Sequence, residues 1–118
     1  MFINDEANGY GVYTYKNGNI YSGDWKCGKK EGRGKLTYAD GQVYKGEFKD
    51  NMKHGFGVLT HPDMAKYDGQ WKNNLRNGYG REVYQNGDQY QGFFANDLRQ
   101  GEGSYEFISG TIKKGVWY

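Results

Sequence analysis

The stretch that decides the fold is Tyr21 to Val43, YSGDWKCGKKEGRGKLTYADGQV, because the chain repeats it at intervals of 23 residues. Its first tyrosine recurs as Tyr44, Tyr67 and Tyr90. The Gly-x-Trp that follows recurs as Gly-x-Trp or Gly-x-Phe, and the later Gly-x-Gly recurs in every copy. The chain is therefore predicted to be an array of one structural unit, in which each copy contacts mainly its neighbours.

The repeat divides the chain into a short lead-in and an array that begins and ends with a partial unit. The lead-in is predicted at 1–8 and the array at 9–118. The predicted units are a half repeat at 9–20, full repeats at 21–43, 44–66, 67–89 and 90–112, and a partial repeat at 113–118.

Composition limits the fold class and the compartment. Twenty glycines, twelve tyrosines and a single proline favour strands and turns over helices. Sixteen basic and fourteen acidic residues leave a net charge of +2, which is too small to predict a nucleic-acid partner. Cys27 is the only cysteine, and the sequence shows no signal peptide and no apolar run of about 18 residues. We therefore expect a cytoplasmic protein that is neither secreted nor transmembrane.

Each unit is predicted to form two antiparallel strands, because both of its conserved motifs alternate with period two. A three-residue loop between units, such as 16–18, keeps the aromatic residues on one face, whereas a two-residue turn would reverse them. Pro62 suits the first corner of a type I turn, and Met64, in place of the usual loop glycine, predicts a mildly strained turn. Loops inside the units are predicted at 27–30, 50–53, 73–76 and 96–99.

These registers place a furrow of glycines between two apolar walls on one face of the sheet, here called the aromatic face. Gly23 is expected opposite Gly34, Gly34 opposite Gly46, and so on along the array. The residues predicted to form a partner-binding face are Tyr21, Trp25, Tyr44, Phe48, Leu59, Tyr67, Trp71, Tyr90 and Phe94. Such rings either bind an extended peptide or a partner helix, or pack on one another as the core, and for any individual ring packing is favoured.

Two charged positions carry their own predictions. Glu82 replaces the leucine of its register, between Tyr67 and Tyr90. We expect a solvated rim position there in preference to a hydrogen bond with a tyrosine hydroxyl or a point of specificity. On the opposite face, Asp24 and Arg33 predict a cross-strand charge pair.

The opposite face also carries a second apolar patch that the repeat does not require. Its residues are Phe56, Val58, Tyr79, Val83 and Phe93. Tyr79 is expected directly opposite Phe93. A protein interface and simple cover by twist or by neighbouring molecules are equally favoured interpretations.

A recurring basic position predicts a row of cations along the loop edge. The residues of this row are Lys29, Lys30, Lys53, Arg76 and Arg99. Such a row suits anionic phospholipid, at about 1 kcal/mol per cation near the surface. Because Glu31, Asp50 and Asp97 dilute it, a solvated edge is favoured over a lipid site.

No catalytic residue, metal ligand or cofactor is predicted. Cys27 and His54 belong to one edge of the predicted sheet and His61 to the other, so they cannot converge as a nucleophile with its base. The two histidines also fall short of a metal site. The Gly-x-Gly motifs open no helix that could hold a phosphate. The aromatic residues lack the interleaved positive charge of a reader of single-stranded nucleic acid.

The motif Tyr-x-Gly-x-(Trp/Phe) followed by Gly-x-Gly, in phase across residues 9–117, resembles the MORN repeat, short for membrane occupation and recognition nexus. The resemblance implies an all-β fold, a single-layer twisted antiparallel β-meander of about ten strands, without catalytic residues of its own. It implies a protein-interaction scaffold of the cytoskeleton or cilium that binds a protein partner. A peripheral phosphoinositide-binding module and a regulatory domain of a larger enzyme are the alternatives.

The partial units at both ends are predicted to leave open strand edges. Because unpaired edges invite pairing with a second chain, we expect an edge-to-edge homodimer.

Overall fold

The computed structural model describes residues 2–3 and 6–117, and the side chains of residues 8–117. Residues 1, 4 and 5 of the predicted lead-in and residue 118 of the last partial unit lie outside the described residues. The strands are β1 (Phe2–Ile3), β2 (Glu6–Ala7), β3 (Gly9–Thr14), β4 (Ile20–Lys26), β5 (Lys29–Thr37), β6 (Val43–Lys49), β7 (Met52–Thr60), β8 (Lys66–Lys72), β9 (Leu75–Val83), β10 (Gln89–Ala95), β11 (Leu98–Glu106) and β12 (Ile112–Trp117).

Ten strands, β3 to β12, form one open antiparallel sheet in the order of the sequence, and β1 pairs with β2 separately. The predicted all-β meander of about ten strands is therefore confirmed. The molecule is elongated, with extents of 55 by 25 by 18 Å. The described part of the chain has no helix of the length and apolar character that a membrane span requires.

The loops between units have the predicted length of three residues. The amide of Tyr15 donates to the carbonyl oxygen of Asn19 at 2.8 Å, which leaves 16–18 as the loop. Gly18 has a φ of +96°, in the left-handed region that glycine adopts without strain. Met64 occupies the same loop position with a φ of +79°, so the predicted strain at this turn is confirmed.

The turns inside the units are shorter than predicted. The strand ends leave two-residue turns at 27–28, 50–51, 73–74 and 96–97, so the prediction of four-residue loops was wrong. In the third turn Asn73 and Asn74 have φ values of 52° and 71°, as a type I′ turn requires. The two additional residues lie in a bulge of the following strand, where Trp25 pairs with Lys30 and not with Gly32.

The glycine register is as predicted. Gly23 lies opposite Gly34 and Gly34 opposite Gly46, and the pairs continue to Gly103 and Gly115. Beside this row each large ring faces a glycine of the preceding strand, as Phe48 faces Gly32. The sheet thus places the rings of the repeat motif on one face, and the buried core lies there.

Candidate functional site

Tyrosine rings fill the glycine furrow. Tyr44 lies across Gly57 so closely that a methyl group on Gly57 would come within 3.0 Å of three atoms of its phenol. The Tyr44 side chain is fully buried, and its hydroxyl donates to the carbonyl oxygen of Glu47 at 2.8 Å. The same arrangement recurs at Tyr21, Tyr67 and Tyr90. The furrow is therefore a packed core and not an open groove.

Burial raises the pKa of these phenols. The pKa of Tyr67 rises from 10.0 to about 12, mainly because the ring is buried, although the Arg76 guanidinium acts in the opposite direction. The pKa values of Tyr21, Tyr44 and Tyr90 are raised with burial as the largest cause. The hydroxyls consequently stay protonated near neutral pH and keep donating to the backbone.

Edge-to-face ring pairs join each unit to the next. The Tyr44 ring centroid lies 5.1 Å from that of Phe48 in its own unit and 5.4 Å from that of Trp71 in the next. The predicted partner-binding residues that are buried in this way are Tyr21, Tyr44, Phe48, Tyr67, Trp71, Tyr90 and Phe94. Trp25 and Leu59 are half-buried. A partner at the aromatic face would therefore contact the residues around these rings, and not most of the rings themselves.

The basic row lies within strands and not in the loops where it was predicted. Its half-buried members are Lys30 in β5, Lys53 in β7, Arg76 in β9 and Arg99 in β11. The short turn causes this change, because it places Lys30 opposite Trp25 on the aromatic face. The Lys53 ammonium lies 5.1 Å from the ring centroid of Trp71, within cation–π range. Lys29, which starts its strand, is exposed.

Most of these cations also hold a tyrosine hydroxyl. Lys30 Nζ donates to Tyr15 Oη at 3.1 Å, and Lys53 Nζ donates to Tyr38 Oη at 2.8 Å. Arg99 bonds the hydroxyl of Tyr84 in the same way. Each tyrosine precedes its cation by 15 residues. We call Tyr15, Tyr38 and Tyr84 the outer tyrosine row.

The outer tyrosine row is interrupted at residue 61, in the repeat 44–66. His61 stands 15 residues before Arg76, at the position of the missing tyrosine. Arg76 instead pairs with Glu82, and its Nε lies 3.3 Å from Oδ1 of Asp97. Arg76 thus bonds two carboxylates, whereas the other three cations each bond a phenol.

Glu82 is the centre of a half-buried charge network. It lies between tyrosines of the neighbouring strands, as predicted. Its carboxylate pairs with Arg76 and lies 3.9 Å from Nε of Arg99, and its side chain is 20% exposed. Tyr84 Oη donates to it at 2.5 Å. The hydrogen bond to a tyrosine hydroxyl is thus confirmed, whereas the preferred prediction of a solvated rim position was wrong, because two cations and a phenol enclose the carboxylate.

A cavity of about 390 Å³ opens on the aromatic face where the tyrosine row is interrupted. Leu59 and Trp71 supply apolar wall, and His61 and Tyr84 lie at its border. Its charged lining residues are Lys53, Lys66, Arg76, Glu82 and Asp97. We call this space the His61 notch.

On the opposite face, polar side chains cap the bulges of the first three units. Asp24 Oδ2 accepts the backbone N–H of Arg33 at 3.3 Å. Glu47 and Gln70 accept the equivalent amides at 2.8 and 2.7 Å. The predicted charge pair between Asp24 and Arg33 was therefore wrong. The Asp24 carboxylate bonds the backbone amide of Arg33 and not its guanidinium, and the ion pairs within residues 8–117 do not include Asp24.

Phe93 takes the cap position in the fourth unit, and its side chain offers no hydrogen-bond acceptor. Phe93 is 47% exposed and packs edge to face on Tyr79, with ring centroids 5.5 Å apart, in the predicted opposition. Phe56 nearby is 62% exposed, and Val58 and Val83 are half-buried. The second apolar patch therefore presents aromatic rings to solvent where the repeat elsewhere carries a polar cap.

A basic cluster lies on the same face nearer the start of the array. Lys35 and Lys45 are directly opposite each other on β5 and β6. With Arg33 and Tyr10 they border a shallow cavity of about 350 Å³. Like charges in direct opposition destabilise a sheet, so a bound anion would relieve this repulsion.

Sequence reasoning did not identify the His61 notch. It treated His61 only as a candidate for catalysis or metal binding, and it placed Lys53 and Arg76 in loops. The available signal was the register itself, because the equivalent residues Tyr15, Tyr38, Tyr84 and Phe107 all carry a six-membered ring, which His61 lacks.

Comparison with known families gives five consecutive matches to one repeat, described as the MORN repeat. The matched residues are 1–20, 21–43, 44–63, 67–89 and 90–112. The first match includes the residues predicted from sequence as a lead-in. The comparison with curated proteins finds no match.

Proposed function

Because this chain belongs to the MORN repeat family, whose repeats are generally non-catalytic modules that interact with proteins or membranes, we propose that it is a scaffold that binds a partner protein segment along its aromatic face. The proposed setting is the cytoskeleton or a cilium.

The observation that supports this choice of face is the His61 notch. Elsewhere on this face buried rings and cations bonded to tyrosines cover the glycine row, whereas the notch leaves an open space of about 390 Å³. It combines an apolar wall with several charged groups, a mixture that suits a specific protein contact. The half-buried residues Trp25, Tyr38 and Leu59 extend the surface on which a segment would lie.

Affinity purification with paired variants tests the proposal. Leu59→Glu places a charge on the aromatic face, and Tyr79→Glu places the same charge on the opposite face. We expect the partner recovered by the unaltered chain to be lost from Leu59→Glu and kept by Tyr79→Glu, with circular dichroism showing that both variants fold. Loss from Tyr79→Glu alone would reject the aromatic face and assign binding to the second apolar patch.

A second candidate function is peripheral binding to an anionic membrane. The observation that favours it is the direct opposition of Lys35 and Lys45 beside Arg33, and not the basic row, whose four half-buried members contact aromatic rings. Sedimentation with phosphoinositide vesicles at low salt should then recover the chain, and Lys35→Glu should reduce this recovery. No sedimentation at low salt would reject the membrane proposal.

Edge-to-edge dimerisation remains a further proposal. Within residues 2–3 and 6–117, β12 has a pairing strand on one side only. Light scattering over a range of concentrations should show a rising mass, and a constant monomer mass would contradict the proposal. The alternative of a regulatory domain in a larger enzyme is tested by sequencing the transcript that encodes the chain.

A further inference from the structure

The repeat itself indicates what fits the His61 notch. At three equivalent positions the space beside the cation is occupied by a phenol, from Tyr15, Tyr38 and Tyr84. Beside Arg76, His61 supplies a smaller ring without a hydroxyl, and an open cavity remains. The neighbouring copies therefore act as an internal template for a group that is missing beside Arg76.

The walls of the notch match the two parts of a phenol. Half-buried Leu59 offers the main apolar contact for an aromatic ring, because Trp71, which also lines the notch, is only 4% exposed. Glu82 can accept a hydrogen bond from the hydroxyl group, since its carboxylate already accepts one from Tyr84 Oη at 2.5 Å. Arg76 can donate to the hydroxyl oxygen, as Arg99 does to Tyr84 in the next unit.

The ion pairs of the notch can stay intact around a neutral occupant. Lys53, Lys66 and Arg76 face two carboxylates, Glu82 and Asp97, and Arg76 is already paired with both of them. An added ammonium group would compete with Arg76 for these carboxylates, whereas a neutral ring with one hydroxyl would leave the pairs in place.

We propose that the His61 notch binds a tyrosine side chain presented by a partner protein segment, which completes the outer tyrosine row from outside. This proposal rests on the proposed function of the aromatic face and names the group recognised there. The partner's ring would pack against Leu59 beside the Lys53 side chain that covers Trp71, with its hydroxyl between Arg76 and Glu82.

The test is a nuclear magnetic resonance titration of the full chain with three blocked tripeptides that differ only in a central tyrosine, phenylalanine or leucine. The indole N–H of Trp71, which donates to the carbonyl oxygen of Gly57 at 3.1 Å, provides a probe beside the notch. We expect millimolar binding of the tyrosine peptide, with shifts confined to Trp71, Arg76, Glu82 and their neighbours. Phenylalanine should bind more weakly and leucine least.

Two histidine-to-tyrosine variants, one inside the notch and one outside it, provide the control. His61→Tyr introduces the residue found at positions 15, 38 and 84 and fills the notch from within, so the shifts caused by the tyrosine peptide should disappear. His54→Tyr makes the same exchange at the other histidine, which does not line the notch, so the shifts should remain. Shifts that persist in His61→Tyr, that are equal for leucine and tyrosine peptides, or that are absent altogether would each overturn the proposal.

Partner recovery separates this proposal from the function on which it rests. If His61→Tyr recovers the partner as well as the unaltered chain does, while Leu59→Glu loses it, the aromatic face binds the partner without using the notch. If the peptide binds in the notch but Leu59→Glu keeps the partner, the notch accepts tyrosine but the aromatic face is not the partner surface.

Discussion

Replacing Gly57 with alanine should destabilise the sheet far more than the same replacement at Gly115. Both glycines lie in the row that crosses every strand, and neither has a left-handed φ. A methyl group at Gly57 would come within 3.0 Å of the Tyr44 phenol, whereas at Gly115 it would meet nothing within 4 Å. The pair therefore isolates ring packing from the general effect of adding a methyl group to a strand.

The expected magnitude follows from what Tyr44 would lose. Its hydrogen bond to the carbonyl oxygen of Glu47 is worth about 1 kcal/mol. Its edge-to-face pairs with Phe48 and Trp71 are worth about 1 kcal/mol each. We therefore expect Gly57→Ala to lower the free energy of unfolding by about 3 kcal/mol, the upper part of the range for overpacking. Gly115→Ala should change it by less than about 0.5 kcal/mol.

Urea denaturation measures both variants, and near-ultraviolet circular dichroism reports the packing of the aromatic rings. We expect a lower midpoint and a weaker near-ultraviolet signal for Gly57→Ala only. Equal stability of the two variants would refute the conclusion that tyrosines packed over the glycine row hold this single-layer sheet together.

Three further predictions concern titration, the charge network and a strained turn. The pKa of Tyr67 in the folded protein is raised to about 12, so the stability that its buried phenol contributes is complete below pH 10 and is lost as the pH rises towards 12. Thermal melting temperatures should therefore fall above about pH 10. A melting temperature that stays constant there would contradict this prediction. Glu82→Gln should cost about 1–2 kcal/mol because two half-buried cations lose their carboxylate, while the exposed Glu102→Gln should cost little in the same urea denaturation; equal effects would count against the network. Met64→Gly should raise the midpoint by relieving a φ of +79°, worth about 1 kcal/mol, and Met64→Ala should not; a gain in both would point away from backbone strain.

The parts of the fold that depend on parity and on the left-handed backbone could be predicted from the sequence. Period-two alternation requires an odd number of loop residues between units if the aromatic residues are to stay on one face. The loop glycines then favour three residues, because Gly18 and its equivalents supply the positive φ that closes such a loop without strain. Once these loops were fixed, the opposition of glycines across the sheet followed.

The turns inside the units were predicted less well, because the alternation requires only an even number of loop residues and does not distinguish two residues from four. Both keep the next strand on the same face. The signal that favours two residues is the pair Asn73 and Asn74, since adjacent asparagines suit a turn in which both residues have positive φ. Missing this signal placed Lys53 and Arg76 at a loop edge, when they lie over the rings of the aromatic face.

The site depends on such side-chain contacts, which alternation alone does not give. Glu82 could be placed between two tyrosines from its register, but its ion pairs with Arg76 and Arg99 depend on the bulge that brings those cations onto its face. The notch depends likewise on one substitution, His61, within a row that is recognised only when Lys30 and Tyr15 are known to touch.

The measurement that tests the proposed partner surface most directly is site-specific photocrosslinking in lysate of the source cells. A photoreactive phenylalanine derivative would replace either Tyr38 on the aromatic face or Tyr79 on the opposite face, so that the two probes differ only in the side of the sheet they report. We expect a partner protein to crosslink from position 38 and not from position 79. Crosslinking from position 79 alone would contradict the account.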